Sequence, residues 1–321
     1  MKKLLCLLLT LTLSLATLTA FGCGSKNENE IKIGILQVAT HSALDDARQG
    51  FKDTVDAWAK ANGKTVKYDE KNANGDASNE LILAESLITA KCDLVLGIAT
   101  SSARALANAS EKTPTLFTAV TDPEGEQLIR SNVTGTSDLN PVADQIALIK
   151  EIVGDGCDKV AFLYNSSENN SVLQFSLAQA KCSELGIELV GKTATAASDI
   201  QTVVESIDQS FDAVYIPTDN LMASNGSLIC SILSAKGIPT VVGESGMCED
   251  GEAVATLGID YYKLGVQTAE MAIKVLSGEK AISEISFEFY NQPSTFFINE
   301  TNALACGLTQ AKIDALKANH A

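Results

Sequence analysis

"DLVLGIATSSARALANASEKTPTLFTAV", residues 93–120, and "DAVYIPTDNLMASNGSLICSILSAKGIPTVVGE", residues 212–244, are the two stretches on which the fold turns. Each opens on an aspartate, runs through an apolar strand, breaks into hydroxyl and polar residues, and continues as a helix. Each then passes a Pro-Thr step and ends in a second apolar strand with a polar turn. Strands that are apolar on both faces belong to parallel sheets covered by helices. A helix between two of them is a right-handed βαβ crossover. Finding the unit twice points to two similar α/β lobes, each a doubly wound parallel sheet; the competing explanation is that any α/β sheet matches another in part.

The flanking sequence extends the pattern. "IKIGILQ" (31–37) reads as a strand. The helix after it places Leu44, Ala47, Phe51, Val55 and Trp58 at three- and four-residue steps and stops at Gly63. Extended runs follow at "TVKYDE" and "NVTGTSDL" (132–139). "PVADQIALIKEIVG" (141–154) starts a helix at or near Pro141, and "KVAFLYN" (159–165) begins a second cycle. A helix over 170–186 closes at Gly186. "IELVGKTAT" and "PTVVGE" are later strands, and residues 253–280 form a strand and an amphipathic helix. "ISFEFYNQPSTFFIN" adds two short extended runs before a helical tail, a kind of closing segment that often returns to the first lobe.

The first 22 residues, "MKKLLCLLLTLTLSLATLTAFG", carry two lysines and a long apolar run, the pattern of a secretory signal. "AFGC" resembles the lipobox of bacterial lipoproteins, with Ala20 where Leu is more usual, which makes Cys23 the expected lipidation site and 23–30 a lipid-anchored tether. A plain signal peptide cut nearby is the alternative. No later run approaches the roughly 18 apolar residues of a membrane span. The formal charge of −16 argues against nucleic acid, whose phosphates it would repel. Six cysteines remain beyond Cys23 and allow 15 full pairings, among which the spacing does not choose; free buried thiols fit equally well. Neither the cysteines nor the two histidines, His41 and His320, form a metal pattern, and "NGDASNE" (74–80) lacks the full calcium-loop pattern. No metal and no cofactor are expected.

In open parallel sheets ligands sit beyond the carboxyl ends of the strands. The polar residues there are the candidate ligand contacts: Gln37 and His41; Thr100, Ser101 and Ser102; Thr121 and Asp122; Asn165, Ser166, Ser167 and Ser171; Thr218, Asp219 and Asn220; and Glu244. Each has a plainer role as a helix cap. For Ser42 the plainer role prevails, because Asp45 three residues on resembles a capping box. The hydroxyls at 100–102 and 121 suit a carboxylate. Asp219, with Glu244 or Asp122, suits an ammonium, so the pair of features fits an amino acid. Asn220 is expected to start the next helix, and Asp219→Asn to weaken binding while leaving the fold intact. No dinucleotide, phosphate or nucleophile-elbow motif is present, and only His41 could serve as a base to "GESGMCEDG", so no enzymatic activity is expected.

Taken in order, "HSALDDARQGF", "FTAVTDPEG", "NVTGTSDLNPV", "LYNSSENNS", "VYIPTDN", "VGESGM" and "TLGIDYYKLGVQTAEMA" resemble the ABC-transporter substrate-binding lipoproteins of the tryptophan/tyrosine type, from about residue 31 to about 280. The resemblance implies a type I periplasmic-binding-protein fold, with two lobes joined by a three-segment hinge near 138–141, 253–260 and 285–297, and Gly258 and Asp260 close to it. Lobe 1 is expected over 31–138 plus 258–290 and lobe 2 over 139–257 plus 291–321. It also implies an extracytoplasmic monomer on the bacterial cell membrane that hands an amino-acid-like ligand to an ABC permease and its ATPase. A sensor for a membrane receptor and a receptor for a nucleoside or sugar are the alternatives; the low aromatic content, 5%, weighs against the latter. Tyr164, Tyr215 and Phe117 are candidate pocket walls, although their strands make them better candidates for core.

Overall fold

The computed structural model describes residues 29–249 and 253–321. Strands β1 (Glu30–Gln37), β2 (Thr65–Asn72), β3 (Leu94–Ile98), β4 (Thr115–Val120) and β5 (Val133–Ser137) alternate with helices α1 (Ser42–Ala61), α2 (Ala77–Thr89) and α3 (Thr100–Ala109). Helix α4 (Val142–Val153) leads into β6 (Lys159–Tyr164), α5 (Asn169–Leu185), β7 (Glu188–Thr193), α6 (Ala197–Glu205) and β8 (Ala213–Ile216). Then come α7 (Asn220–Ala223), α8 (Gly226–Ala235), β9 (Thr240–Val242), α9 (Gly246–Glu249), β10 (Ala255–Gly258) and α10 (Tyr261–Leu276). The chain ends with β11 (Glu288–Phe289), β12 (Thr295–Ile298), α11 (Glu300–Ala305) and α12 (Gln310–Asn319).

These strands form two six-stranded sheets, in the orders β11-β5-β4-β3-β1-β2 and β12-β10-β9-β8-β6-β7. Every pairing is parallel except β10 with β12. The two orders are the same when read from the first strand of each lobe, and β3-α3-β4 in one corresponds to β8-α7-α8-β9 in the other. The two quoted stretches are thus equivalent units of two doubly wound lobes. Strands β3, β4, β8 and β9 are buried at every position, as continuous apolar runs require between two helical layers.

Each sheet has its own core. Ile33, Ile35, Leu94 and Leu96 of the first pack under α1 and α10, while Leu36, Val95 and Leu106 fill the opposite face. In the second sheet Val160, Phe162 and Tyr215 pack under α4 and α5, while Leu163, Val214 and Ile216 face α6 and α8. The chain leaves the first sheet after Ser137, returns after Gly258 to begin α10, and passes from β11 to β12. Helix α10 is seated on α1 through two glycines. A Cβ on Gly50 would stand 2.1 Å from the Tyr262 carbonyl oxygen, and one on Gly265 would stand 2.0 Å from that of Ala47. Of the closing segment only β11 joins the first sheet; β12, α11 and α12 pack with the second.

Several local expectations change. Helix α1 takes His41, not Ser42, as its N-cap residue, with no side-chain cap. The Asp45 carboxylate turns instead to Arg48, at 3.1 Å, and to the Gln37 amide, so the Ser42–Asp45 capping box does not form. Phe117 and Tyr215 are fully buried core, and Tyr164 stacks with Phe175 beside Phe162, so none of the three walls the cleft. No disulfide joins any of the six cysteines among the described residues. No described helix is long and apolar enough to cross a membrane. The signal segment and Cys23 lie outside the described residues.

Candidate functional site

The carboxyl ends of the two sheets face each other, and the loops beyond them enclose a cavity. Seven of the residues expected from sequence line it: His41, Thr100, Thr121, Thr218, Asp219, Asn220 and Glu244. Asp138, Asn170 and Tyr261 join them as polar groups, and Leu44, Ala119 and Ala223 supply apolar surface. The cavity is narrow, about 320 Å³ of empty volume counted out to its opening. Thr100, Asn170 and Asn220 also border a larger outer chamber of about 1180 Å³, which Ser101, Asn165 and Ser167 line.

The lobes touch across this space. The His41 ring nitrogen Nε2 lies 3.4 Å from Asn220 Oδ1, Ser224 Oγ donates to the Thr40 carbonyl, and Asn169 Nδ2 donates to Glu126 Oε1 at 2.8 Å. The arrangement is a closed cleft.

Two backbone irregularities shape the lobe 1 wall. Ala99, the N-cap of α3, has φ 77° and ψ 163°, a region favoured only by glycine. Ala119 has φ 56° where the β4–β5 register shifts between Phe117 and Val120, and this bulge brings it to the cavity. Because Ala99 offers no side-chain cap, the first amides of α3 have no side chain of their own to satisfy them.

The charge in the cavity is acidic. Asp138, Asp219 and Glu244 line it, and no lysine or arginine does among the described residues. Asp138, only 4% exposed, accepts hydrogen bonds from Thr121 Oγ1 at 3.0 Å and Tyr261 Oη at 2.9 Å. Burial raises its carboxyl above the usual range. A carboxylate offers about four acceptor positions, so Asp138 keeps room for a donor from a ligand. Glu244 accepts from the amides of Gly246 and Met247.

Asp219 is more heavily engaged. Its Oδ2 accepts from the Asn165 amide at 2.6 Å and from Ser171 Oγ at 2.7 Å; its Oδ1 accepts from the Met222 amide at 2.9 Å and caps α7. Burial, and after it the Glu168 charge, push the Asp219 carboxyl up to about 7. The roles expected of the neighbours are therefore redistributed. Asp219 is the cap that starts α7, and Asn220 is the residue that reaches across to the other lobe.

Other expected residues serve these rather than the cavity. Ser101 and Ser102 both donate to Glu80 Oε1, at 3.0 and 2.6 Å, so their hydroxyls are committed. Gln37 is buried and bridges Asp45 and Arg48. Asp122 caps its own turn by accepting from the Gly125 amide and does not line the cavity. Asn165 positions Glu168 and the Ser167 amide, Ser171 supports Asp219, and Ser166 is exposed. Thr218, which does line the cavity, accepts from Gln174 Nε2.

The sequence reading missed Asp138, Asn170 and Tyr261. Asp138 carries the same signal as Asp219, an acid just past a buried strand, but it also sits where the first interlobe crossing is expected. Tyr261 opens the helix after the second crossing, and its hydroxyl pairing with Asp138 joins two crossings at the floor of the cavity. Asn170 faces the cavity from the first turn of α5 and donates to the Thr218 carbonyl.

Comparison with known proteins accords with this geometry. The family model "ABC transporter substrate binding protein" matches residues 32–318. A tyrosine-binding protein of Clostridioides difficile is 32% identical over 291 residues, covering 89% of this chain and 83% of that protein. An ABC domain from Streptococcus pneumonia solved in complex with L-Trp is 30% identical and superposes with a TM-score of 0.81, covering 89% of this chain and 98% of that one. A ligand-free, open substrate-binding protein with adhesive properties from Clostridium difficile is 34% identical but superposes at only 0.65, covering 87% and 96%. Higher identity with lower superposition is what a different lobe angle produces, and the open structure differs in this way from the closed cleft seen here. The chain belongs to the ABC transporter substrate-binding protein family, whose members bind a ligand and catalyse no reaction.

Proposed function

We propose that this protein binds an aromatic amino acid between its lobes and delivers it to the permease of an ABC importer. The observation that carries the reading is the cavity's charge: three carboxylates, no lysine or arginine among the described lining residues, and the uncapped first turn of α3 opposite. A bare ammonium finds charge-assisted acceptors in Asp138, Asp219 and Glu244, with Asp138 the least committed. A carboxylate finds the amides at the start of α3 and the Thr100 hydroxyl. An aromatic ring finds Leu44, Ala119, Ala223 and the Tyr261 ring. The names of the tyrosine-binding relative and of the L-Trp complex support the same ligand class. Closure surrounds the ligand with carboxylates from both lobes, so an ammonium that they hold binds the closed state better and shifts the population toward it. The permease is then offered a closed, loaded receptor. The apolar leader ending in "AFGC" supports anchorage to the outer face of the membrane through a lipid on Cys23.

A thermal-shift screen of residues 24–321 against amino acids, sugars and nucleosides tests the reading, since a ligand of the folded state raises the melting temperature by mass action. An aromatic amino acid is expected to give the largest rise. A rise with a sugar or nucleoside and none with an amino acid would refute the reading.

A further inference from the structure

His41 stands where the lobes meet, and its two ring nitrogens have different circumstances. Nε2 faces Asn220 Oδ1 across the cleft. The orientation of that amide is fixed from the other side, because Asn220 Nδ2 donates to Glu168 Oε2 at 2.6 Å. Glu168 is itself set as an acceptor by the amides of Asn220 and Leu221 and by Asn165 Nδ2. With Oδ1 presented to the histidine, Nε2 must carry the proton. Burial lowers the His41 pKa to about 4, so the ring is neutral and holds one proton only. Nδ1 therefore bears a lone pair, and it is buried without a partner in the chain.

We propose that His41 Nδ1 accepts a hydrogen bond from a donor on the ligand's aromatic ring, a phenol hydroxyl or an indole N–H, and so selects tyrosine- and tryptophan-like ligands over phenylalanine. The inference rests on the amino-acid reading above and adds to it the group that reads the side chain. The ligand's ammonium has charged acceptors elsewhere in the cavity. A neutral acceptor in a cavity that Leu44 and Ala223 also line suits the weakly polar edge of an aromatic ring better than a cation. Asn220 and Glu168 are positioning residues: they hold the tautomer, and they do so only when the lobes are closed, so the acceptor is formed by closure itself. A ring without a donor would leave Nδ1 buried and unpaired, which weakens binding about tenfold or more.

Titration calorimetry with L-tyrosine, L-tryptophan and L-phenylalanine tests this on the wild type, His41→Gln and His41→Asn. Glutamine places its amide near the Nε2 position and keeps the cleft contact but removes the Nδ1 acceptor; asparagine places its amide near Nδ1. His41→Gln is expected to bind tyrosine or tryptophan about tenfold more weakly and phenylalanine more tightly, by up to about tenfold, because the unpaired acceptor is gone, with His41→Asn recovering most of the tyrosine or tryptophan loss. Equal losses for all three ligands, or no loss, would overturn the inference while leaving the amino-acid reading intact. A wild type that binds none of the three refutes both. A second readout is independent of affinity. In a His320→Gln background His41 is the only histidine, and its nitrogen-15 resonances report which nitrogen is protonated. With ligand bound Nδ1 is expected to be the unprotonated one; a proton on Nδ1 contradicts the inference.

Discussion

Replacing Asp138 by asparagine removes one negative charge from the cavity floor while keeping the shape of the side chain. In the structure the carboxylate accepts from two neutral hydroxyls, Thr121 and Tyr261, at 3.0 and 2.9 Å, and makes no salt bridge. Asparagine keeps one acceptor, and the other hydroxyl can turn to accept from its amide. The fold therefore loses at most about 1 kcal/mol. Binding responds differently. Removing one partner of a buried, hydrogen-bonded charge pair costs about 2–5 kcal/mol, a loss of at least about thirtyfold in affinity. Titration calorimetry for binding, beside thermal denaturation of the ligand-free protein, separates the two effects. Affinity within about threefold of wild type, or a loss that appears only as the protein unfolds, would refute the assignment of Asp138 as an ammonium acceptor.

Asp219→Asn should behave otherwise, because Asp219 accepts from two backbone amides in different directions; either orientation of the asparagine leaves one of them without an acceptor, lowering stability by about 1–3 kcal/mol as well as weakening binding, and an unchanged melting temperature would contradict it. The Asp219 carboxyl, raised to about 7, favours its protonated form in the fold, so its contribution to stability is complete below the unfolded value and fades as the pH rises through 7. Ligand affinity runs the opposite way, rising between pH 5 and 8 with proton release visible as buffer-dependent binding heats; a flat profile would refute the coupling. Ala99→Gly should relieve about 1–3 kcal/mol of backbone strain, less about 0.4–1 kcal/mol of added chain entropy, and raise the ligand-free melting temperature rather than lower it. Gly265→Ala should lower it sharply, because the new methyl meets the Ala47 carbonyl and α10 cannot stay seated on α1.

The alternation of strands and helices, the duplicated unit and the edge on which polar residues collect were legible because each follows from short-range pattern: a buried parallel strand is a run of apolar residues, and its carboxyl end is where the run breaks. What a residue does at that edge was less legible, because it depends on partners distant in sequence. Ser101 and Ser102 look free until Glu80, 21 and 22 residues away, is seen to accept from both. Asp219 and Asn220 are adjacent and chemically similar, and only the backbone entering α7 decides which one caps and which one reaches His41. Asp138 and Tyr261 lie 123 residues apart and meet only because two interlobe crossings run side by side, so no window along the chain could have paired them.

The most direct test compares L-tyrosine and L-tryptophan with their deaminated acids, which keep ring and carboxylate and lack only the ammonium, by titration calorimetry on residues 24–321 at pH 8. If the three carboxylates hold the ammonium, at least one of the two amino acids binds, and its deaminated acid binds at least about thirtyfold more weakly. Equal affinity for an amino acid and its deaminated acid would contradict the role given to Asp138, Asp219 and Glu244.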